Sequence, residues 1–194
     1  MILSGGLHIA SNIFKHTPKQ PVGNFERPDW DEYFMLQAEL AKLRSNCLTR
    51  QVGAVIVRNN RQIATGYNGT PPGIKNCYEG GCQRCKLRME GKIESGASLE
   101  RCLCNHAEAN AIMHCAILGI EAGKGAILYT TFVPCLECTK MAVTIGIKKF
   151  ICLDSYPETN QDLIDEAGVK IVRLEKGKIA RWAENLASKY KESA

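Results

Sequence analysis

The sequence lacks any long hydrophobic run, and its net charge is small. No apolar stretch approaches the roughly 18 residues that a membrane-spanning helix needs, so no such helix is expected. There is no internal repeat and no convincing second domain; 194 residues with 45% hydrophobic content predict one substantial core. The formal net charge of +5 fits an anionic small substrate, but it is too weak to indicate a nucleic-acid-binding surface.

The first 27 residues carry few structural signals. No acidic residue precedes Glu26 and no arginine precedes Arg27. Organellar presequences are usually rich in arginine, so a flexible tail over residues 1–27 is the preferred interpretation, with a presequence left open. Ten cysteines without a secretory signal peptide indicate a reducing compartment such as the cytoplasm, in which thiols bind metal rather than form disulfides.

Two short motifs supply a set of zinc ligands. His106-Ala107-Glu108 is followed by Pro134-Cys135-Leu136-Glu137-Cys138, and the first cysteine lies 29 positions after the histidine. A structural zinc site has four protein ligands, whereas a catalytic site leaves one position open for water. A lone Cys-x-x-Cys could be a redox pair or half a zinc finger, and a lone histidine could be a core side chain. The ordered combination instead predicts a catalytic zinc site with three protein ligands and Glu108 as a carboxylate that does not ligate.

Each motif is predicted to open a helix. The good helix formers of Ala107–Gly119 place the first motif in a first helical turn. The two cysteines of the second motif are three apart just after a proline, so they share one face of a helix that reaches Ile145. The positive ends of both helix dipoles then favour thiolate and carboxylate groups. Zinc lowers the pKa of its water to about 7, and Glu108 is the predicted proton carrier.

The remaining pattern alternates between strand and helix. Asp29 and Glu32 form a capping-box pattern at the start of a helix, and an apolar set at helical spacing is predicted to face the core: Tyr33, Leu36, Leu40 and Leu43. The later elements are a hairpin (52–57 and 62–67), strands at 126–131, 149–153 and 169–172, and helices at 135–145, 161–166 and 176–191. This order predicts an α/β fold, a three-layer α/β/α sandwich with parallel pairs in its sheet and the active site at strand ends.

Six cysteines lie outside the catalytic motifs: Cys47, Cys77, Cys82, Cys85, Cys102 and Cys104. Most fall in a segment at about 76–104. Its hydrophobic periodicity is weak, so it needs another source of stability to be ordered inside a compact domain. The pair Cys82-x-x-Cys85 has zinc-knuckle spacing, and Cys102 or Cys104 could complete a tetrahedral set with Cys77 or Cys47. The sequence thus predicts non-catalytic zinc among these six, with the ligating subset left open. Cys115 and Cys152 lie in apolar contexts and are predicted to be buried without a metal.

A loop rich in glycine and proline follows the second strand of the hairpin. It begins with Asn68, whose side-chain amide could hold a sugar hydroxyl or a phosphate from the end of a rigid strand. The same composition is typical of an ordinary connecting loop. Composition leaves both interpretations open.

The stretch 47–156 resembles the deoxycytidylate (dCMP) deaminases, in the cysteine-rich form with a Gly-Gly-Cys-x-x-Cys insert. The resemblance rests on the two zinc motifs and on the runs 52–57 (VGAVIV), 66–71 (GYNGTP), 76–85 (NCYEGGCQRC), 110–112 (NAI) and 146–147 (GI). It covers somewhat more than half of the chain.

The resemblance implies a cytidine-deaminase-like sandwich with a mixed sheet of about five strands, in one domain over residues 28–194 that carries a zinc-stapled insert. It implies hydrolysis of dCMP to dUMP and ammonia, which supplies dUMP for dTMP synthesis. A zinc-bound hydroxide would attack the ring carbon that bears the amine. The implied residues are His106, Cys135 and Cys138 as zinc ligands, Glu108 as proton shuttle, and Asn68, Ala107, Pro134 and Tyr156 as substrate contacts.

The resemblance also implies extra structural zinc, a homo-oligomer expected to be a hexamer, allosteric effectors dCTP and dTTP with Mg²⁺, and no membrane partner. Two other functions compete with this one. A tRNA adenosine deaminase shares the zinc motifs, but it would need a more basic surface. A zinc-knuckle nucleic-acid-binding module with an inert deaminase core would not need Glu108.

Overall fold

A computed structural model describes residues 26–123, 125–154 and 161–191, so the predicted tail lies almost wholly outside the described residues. The helices are α1 (Trp30–Lys42), α2 (Gln83–Met89), α3 (Ala107–Ile117), α4 (Leu136–Thr144), α5 (Gln161–Glu166) and α6 (Lys176–Lys191). The strands are β1 (Gly53–Arg58), β2 (Arg61–Tyr67), β3 (Ile127–Phe132), β4 (Lys149–Asp154) and β5 (Lys170–Arg173). None of these helices is both long enough and apolar enough to cross a membrane.

The five strands form one mixed sheet in the order β2-β1-β3-β4-β5. β1 pairs antiparallel with β2 and β3, whereas β4 pairs parallel with β3 and β5. The β1–β2 hairpin closes through Asn59 and Asn60, whose φ angles are 51° and 54°. Two successive residues with positive φ are what a type I′ turn requires, and asparagine tolerates that conformation well.

Apolar side chains fill both faces of the sheet, which confirms the predicted three layers. One core cluster joins α1 and α6 to one face and includes Phe34, Val55, Tyr129 and Ile179. The other cluster joins α3, α4 and α5 to the opposite face and includes Ala111, Leu128, Ala142 and Ile164. Cys115 and Cys152 are buried, as predicted.

Helix α1 begins with the predicted capping box but presents a different face to the core. The Asp29 side chain accepts from the Glu32 amide at 2.8 Å, and Glu32 accepts from the Asp29 amide at 3.0 Å. The predicted core face is wrong at Tyr33, Leu40 and Leu43, which are exposed, whereas Leu36 is partly buried and packs against the core. The buried residues of α1 are Glu32, Phe34, Met35, Ala38 and Ala41.

The close approach of α1 to β1 explains why α1 presents this face to the core. A Cβ at Gly53 would lie 2.0 Å from the backbone oxygen of Ala38, so only small side chains fit between the helix and the strand. Ala38 therefore lies at the contact, and the larger Leu40 is turned outward.

The contact between β2 and α3 is equally close. A Cβ at Gly66 would lie 2.0 Å from the backbone oxygen of Ala107, the first residue of α3. Because backbone rather than a flexible side chain fills this space, α3 would have to move to admit a methyl group. Gly66 thereby sets how close the start of α3 lies to the sheet.

We predict that Gly66→Ala destabilises the protein by about 1–3 kcal/mol, the usual cost of overpacking a tight contact. The matched control is Gly177→Ala in α6, where an added Cβ meets nothing within 4 Å. That change is expected to raise stability by up to about 1 kcal/mol. Urea unfolding of both variants measures the difference, and equal stability of Gly66→Ala and the wild type would contradict the account of this contact.

Candidate metal centre and active site

Three side chains from the predicted motifs converge beyond the end of β3. His106 immediately precedes α3 and Cys135 immediately precedes α4, each with extended backbone at the N-cap position. Cys138 lies in the first turn of α4. One ligand atom from each of these three residues lies within 4.8 Å of the other two.

The donor set fits a zinc ion. The distance from His106 Nδ1 to Cys135 Sγ is 3.2 Å, and that to Cys138 Sγ is 3.5 Å. One nitrogen and one sulfur that bind the same tetrahedral zinc lie about 3.6 Å apart. His106 and Cys135 make no side-chain capping hydrogen bond, although they occupy N-cap positions. Their side chains thus face each other and not the orphan amides of their own helices.

Glu108 is buried next to this group. It is 3% exposed, and its Oε1 lies 2.7 Å from the Thr130 hydroxyl at the end of β3. The same hydroxyl lies 2.9 Å from the backbone oxygen of Phe132. When Glu108 is ionised, Thr130 can donate to it; when Glu108 is protonated, Thr130 can accept from it and donate to Phe132. This geometry suits a carboxyl group that gains and loses a proton.

Burial and the close approach of the donor groups shift several pKa values in the site. Burial raises the pKa of the Glu108 carboxyl above its usual range, while the Thr130 hydrogen bond opposes that change. A hydrogen bond from Cys138 lowers the pKa of Cys135 to about 4, and His106 adds to this effect. The hydrogen bond with Cys135 raises the pKa of His106 to about 9. Zinc binding requires Cys135 and Cys138 as thiolates and His106 as neutral imidazole, so it would release the protons that these groups hold.

A cavity opens beside these residues, and one of its sides is basic. Its lining includes His106, Ala107 and Glu108, together with Arg50, Arg84 and Arg88. Phe132 and Val133 contribute apolar surface, and the Arg50 guanidinium lies 4.3 Å from the centre of the Phe132 ring. The cavity thus combines the zinc donors, a buried acid, an aromatic wall and three guanidinium groups.

Asn68 lines the cavity but has a structural task in the described protein. Its Oδ1 accepts from the Val52 amide at 2.8 Å and from the Ser45 hydroxyl at 2.7 Å, and its Nδ2 donates to the Arg50 oxygen at 2.8 Å. The amide therefore fixes the segment that carries Arg50. A nucleotide contact by Asn68 stays a prediction.

The other three predicted substrate contacts are Ala107, Pro134 and Tyr156. Ala107 is fully buried and lines the cavity. Pro134 is buried just before Cys135, and its backbone oxygen lies 3.4 Å from the Thr139 hydroxyl. Tyr156 lies outside the described residues.

Sequence reasoning missed Thr130 and the arginines of α2. Thr130 belongs to a pair of threonines at the carboxyl end of a predicted strand, the place where active-site residues of α/β proteins concentrate. Arg84 and Arg88 are four apart on one helix face. Both signals were present in the sequence, but neither distinguishes a functional residue from an ordinary one.

An α/β/α sandwich with a His-Cys-Cys donor set and a buried carboxylate at its strand ends defines a zinc hydrolase site of the deaminase type. Residues 28–154 match the family model described as the cytidine and deoxycytidylate deaminase zinc-binding region. The chain belongs to this family, whose domain binds zinc.

Similar proteins agree with this assignment. The deoxycytidylate deaminase of Schizosaccharomyces pombe is 45% identical over 168 residues, which are 85% of this chain and 49% of the relative. That of Saccharomyces cerevisiae is 44% identical over 147 residues, covering 75% and 45% respectively. The chain thus spans about half the length of these two relatives. The dCMP deaminase of cyanophage S-TIM5, solved in complex with dCMP and dUMP, is 31% identical with a TM-score of 0.61, covering 77% of this chain and 100% of the phage chain.

We predict that Thr130→Val lowers kcat about tenfold or more without changing KM or zinc content. A hydrogen bond to a charged group is commonly worth about 1.5–3 kcal/mol, and the valine retains the shape of the threonine without its hydroxyl. Thr130→Ser keeps the hydroxyl and should retain most of the activity. Equal rates for the valine and serine variants would show that the hydroxyl does not position Glu108.

Proposed function

We propose that the protein hydrolyses dCMP to dUMP and ammonia, and thus supplies dUMP for dTMP synthesis. The observation that carries this proposal is Glu108, a buried carboxylate beside a three-donor zinc group, with Glu108, His106 and Cys135 lining the same cavity. A closed structural site would not need it. The names of the yeast relatives and the nucleotides bound to the cyanophage enzyme support dCMP as the substrate.

His106, Cys135 and Cys138 would hold the zinc ion. When bound, zinc acts as a Lewis acid that makes water a nucleophile near neutral pH. Glu108 accepts a proton from the attacking water and delivers it to the ring nitrogen next to the reacting carbon. As the carbon–nitrogen bond breaks, the proton of the hydroxyl now on that carbon passes through Glu108 to the leaving amine, so that one water and dCMP give dUMP and ammonia. Burial keeps Glu108 competent to carry these protons.

The basic side of the cavity would bind the 5′ phosphate. Arg84 is held by its Nε and Nη2, which donate to the Ala97 oxygen at 3.1 Å and 2.7 Å. Arg88 contacts the Ile93 oxygen through Nη1 at 3.4 Å. These contacts orient the guanidinium groups along the cavity, and guanidinium is well suited to phosphate.

The competing functions are less well supported. A tRNA adenosine deaminase is less well supported because the relatives at 44–45% identity are deoxycytidylate deaminases. An inert deaminase core would not need the contact between Glu108 and Thr130.

The finer expectations from the resemblance stay predictions. They are the hexamer, the effectors dCTP and dTTP with Mg²⁺, and the cytoplasmic location. Exposed apolar side chains near the end of α3 support self-association: Met113, Ile117 and Leu118. The ten free cysteines suit a reducing compartment.

We predict that Glu108→Gln lowers kcat for dCMP by about 10²–10⁴-fold, because an amide cannot carry the proton. Zinc content, measured by elemental analysis, should stay at the wild-type level. Glu137→Gln is the matched control, since Glu137 is an exposed acid in the second motif that pairs with Lys140.

The assay measures ammonia release from dCMP, CMP, dCTP, deoxycytidine and a tRNA anticodon stem. Wild-type turnover by Glu108→Gln would show that this residue is not the proton carrier. Turnover of the tRNA stem alone would replace the proposed function with adenosine deamination.

We predict that Arg88→Gln raises KM for dCMP about tenfold or more, since it removes one charged hydrogen bond to the phosphate. The kcat/KM for deoxycytidine, which has no phosphate, should stay within about twofold of the wild-type value. Lys86→Gln on the exposed side of the same helix removes the same charge and should change neither constant. A parallel loss for dCMP and deoxycytidine in Arg88→Gln would contradict a phosphate role.

A further inference from the structure

The six cysteines outside the catalytic group form one buried cluster, which we call the cysteine cluster: Cys47, Cys77, Cys82, Cys85, Cys102 and Cys104. They come from the loop before β1, from a 3-10 turn, from the start of α2 and from the segment before α3. Five of them are buried, and Cys102 is half-buried. Separate stretches of chain have thus brought six thiols to one place.

The sulfur atoms of the cysteine cluster fall into two overlapping groups of four. In the first group, Cys47 and Cys77 join Cys85 and Cys104; in the second, Cys82 and Cys102 join the same two residues. Within each group all sulfur atoms lie within 4.8 Å of one another. Cys85 and Cys104 therefore belong to both groups.

The sulfur separations are those of ligands around one tetrahedral metal. Four sulfurs at about 2.3 Å from a zinc ion lie about 3.8 Å from each other. The measured distances are 3.8 Å for Cys47–Cys85 and 3.9 Å for both Cys82–Cys102 and Cys85–Cys102. A disulfide would require about 2.05 Å. An iron–sulfur cluster would not bring four cysteine sulfurs within 4.8 Å of one another, because cysteines on different irons are separated by iron and sulfide.

We propose that the cysteine cluster binds two zinc ions, with the thiolates of Cys85 and Cys104 bridging them. Cys47 and Cys77 complete one metal site, and Cys82 and Cys102 complete the other. Each metal then has four sulfur ligands, as structural zinc requires. A single zinc ion would leave two of the six as thiols in direct contact with thiolates, in a place with little water.

Hydrogen bonds to sulfur are distributed over both halves of the cysteine cluster. The Leu48 amide donates to Cys77 Sγ at 3.4 Å, and the Leu103 amide donates to Cys82 Sγ at 3.4 Å. The Thr49 hydroxyl lies 3.6 Å from Cys47 Sγ and 3.8 Å from Cys85 Sγ. Such donors stabilise metal-bound thiolates. Each half of the cluster therefore has its own backbone amide directed at an unshared sulfur.

The cysteine cluster is joined to the active site by a short stretch of backbone. Cys104 is two residues before His106, and Asn105 between them pairs with Gly69 through hydrogen bonds of 2.9 Å and 3.1 Å. Cys47, Cys102 and Cys104 also line the cavity that contains Glu108. The two metals would thus fix the position from which α3 begins.

The first test counts zinc ions per chain by native mass spectrometry and elemental analysis. The wild type should contain one zinc for the catalytic group and two for the cysteine cluster. Cys135→Ala should lose only the catalytic zinc, and Cys115→Ala, outside both sites, should lose none. Two zinc ions in the wild type, with one left in Cys135→Ala, would overturn the proposal. Because the count does not depend on turnover, it separates this proposal from the proposed deaminase activity.

The second test examines the bridging thiolates of Cys85 and Cys104. It uses the wild-type protein, so the result does not depend on whether a cysteine variant folds. After exchange of zinc for ¹¹³Cd, NMR should show two signals from all-sulfur sites that split each other through the shared thiolates. One such signal, or two that do not split each other, would contradict the bridged arrangement.

Discussion

Three helices in this protein begin at a cysteine or histidine that makes no side-chain capping bond. Cys82 precedes α2, His106 precedes α3 and Cys135 precedes α4, each with extended backbone. An N-cap residue normally satisfies the orphan amides of its helix with a side-chain oxygen. Here that stabilisation is given up, and each side chain is instead directed at neighbouring sulfur or nitrogen atoms. The positions of the helices relative to the sheet depend on these contacts, and so do the cavity and its charges. Gly66 lets the start of α3 approach β2 closely, because backbone lies directly against backbone there.

The sheet order explains why one edge carries the chemistry. β1 runs antiparallel to β3, so the chain enters β1 at the same edge at which it leaves β3. Ala54 pairs with Thr130 close to that edge. The segment before β1, which Asn68 fixes, therefore meets the end of β3 and the start of α3. Burying Glu108 at this point disfavours its charged form, and the Thr130 hydroxyl offsets part of that effect. On balance the pKa of the Glu108 carboxyl lies above that of an exposed glutamate.

The fold and the catalytic donors could be predicted from the sequence because their signals are local. The strand–helix alternation fixed the layers, and the two motifs identified residues that the structure brings within 4.8 Å of each other. The core face of α1 could not be found in this way, since the periodicity of large side chains pointed to Leu40 while Ala38 makes the close contact. Asn68 illustrates another limit, because a loop motif does not reveal whether an amide faces a ligand or the backbone. The pairing of six cysteines into two groups depends on long-range geometry, which spacing along the chain does not contain.

The cysteine-rich segment has no apolar core of its own. Between Asn76 and Cys104 the buried residues are Cys77, Cys82, Arg84, Cys85 and Cys104, so apart from one arginine only thiols are inside. Regular structure is limited to the short helix α2 and two 3-10 turns, which have little stability alone. Structural zinc supplies on the order of 10–16 kcal/mol of apparent binding free energy in small cysteine sites, which equals or exceeds the roughly 5–15 kcal/mol of a whole domain. The free energy of metal binding is thus large enough to offset the conformational entropy lost when this segment is ordered. In most domains the burial of apolar side chains offsets that loss. Because the same segment carries Arg84 and Arg88 to the cavity, the metals would order the residues that we propose for phosphate recognition.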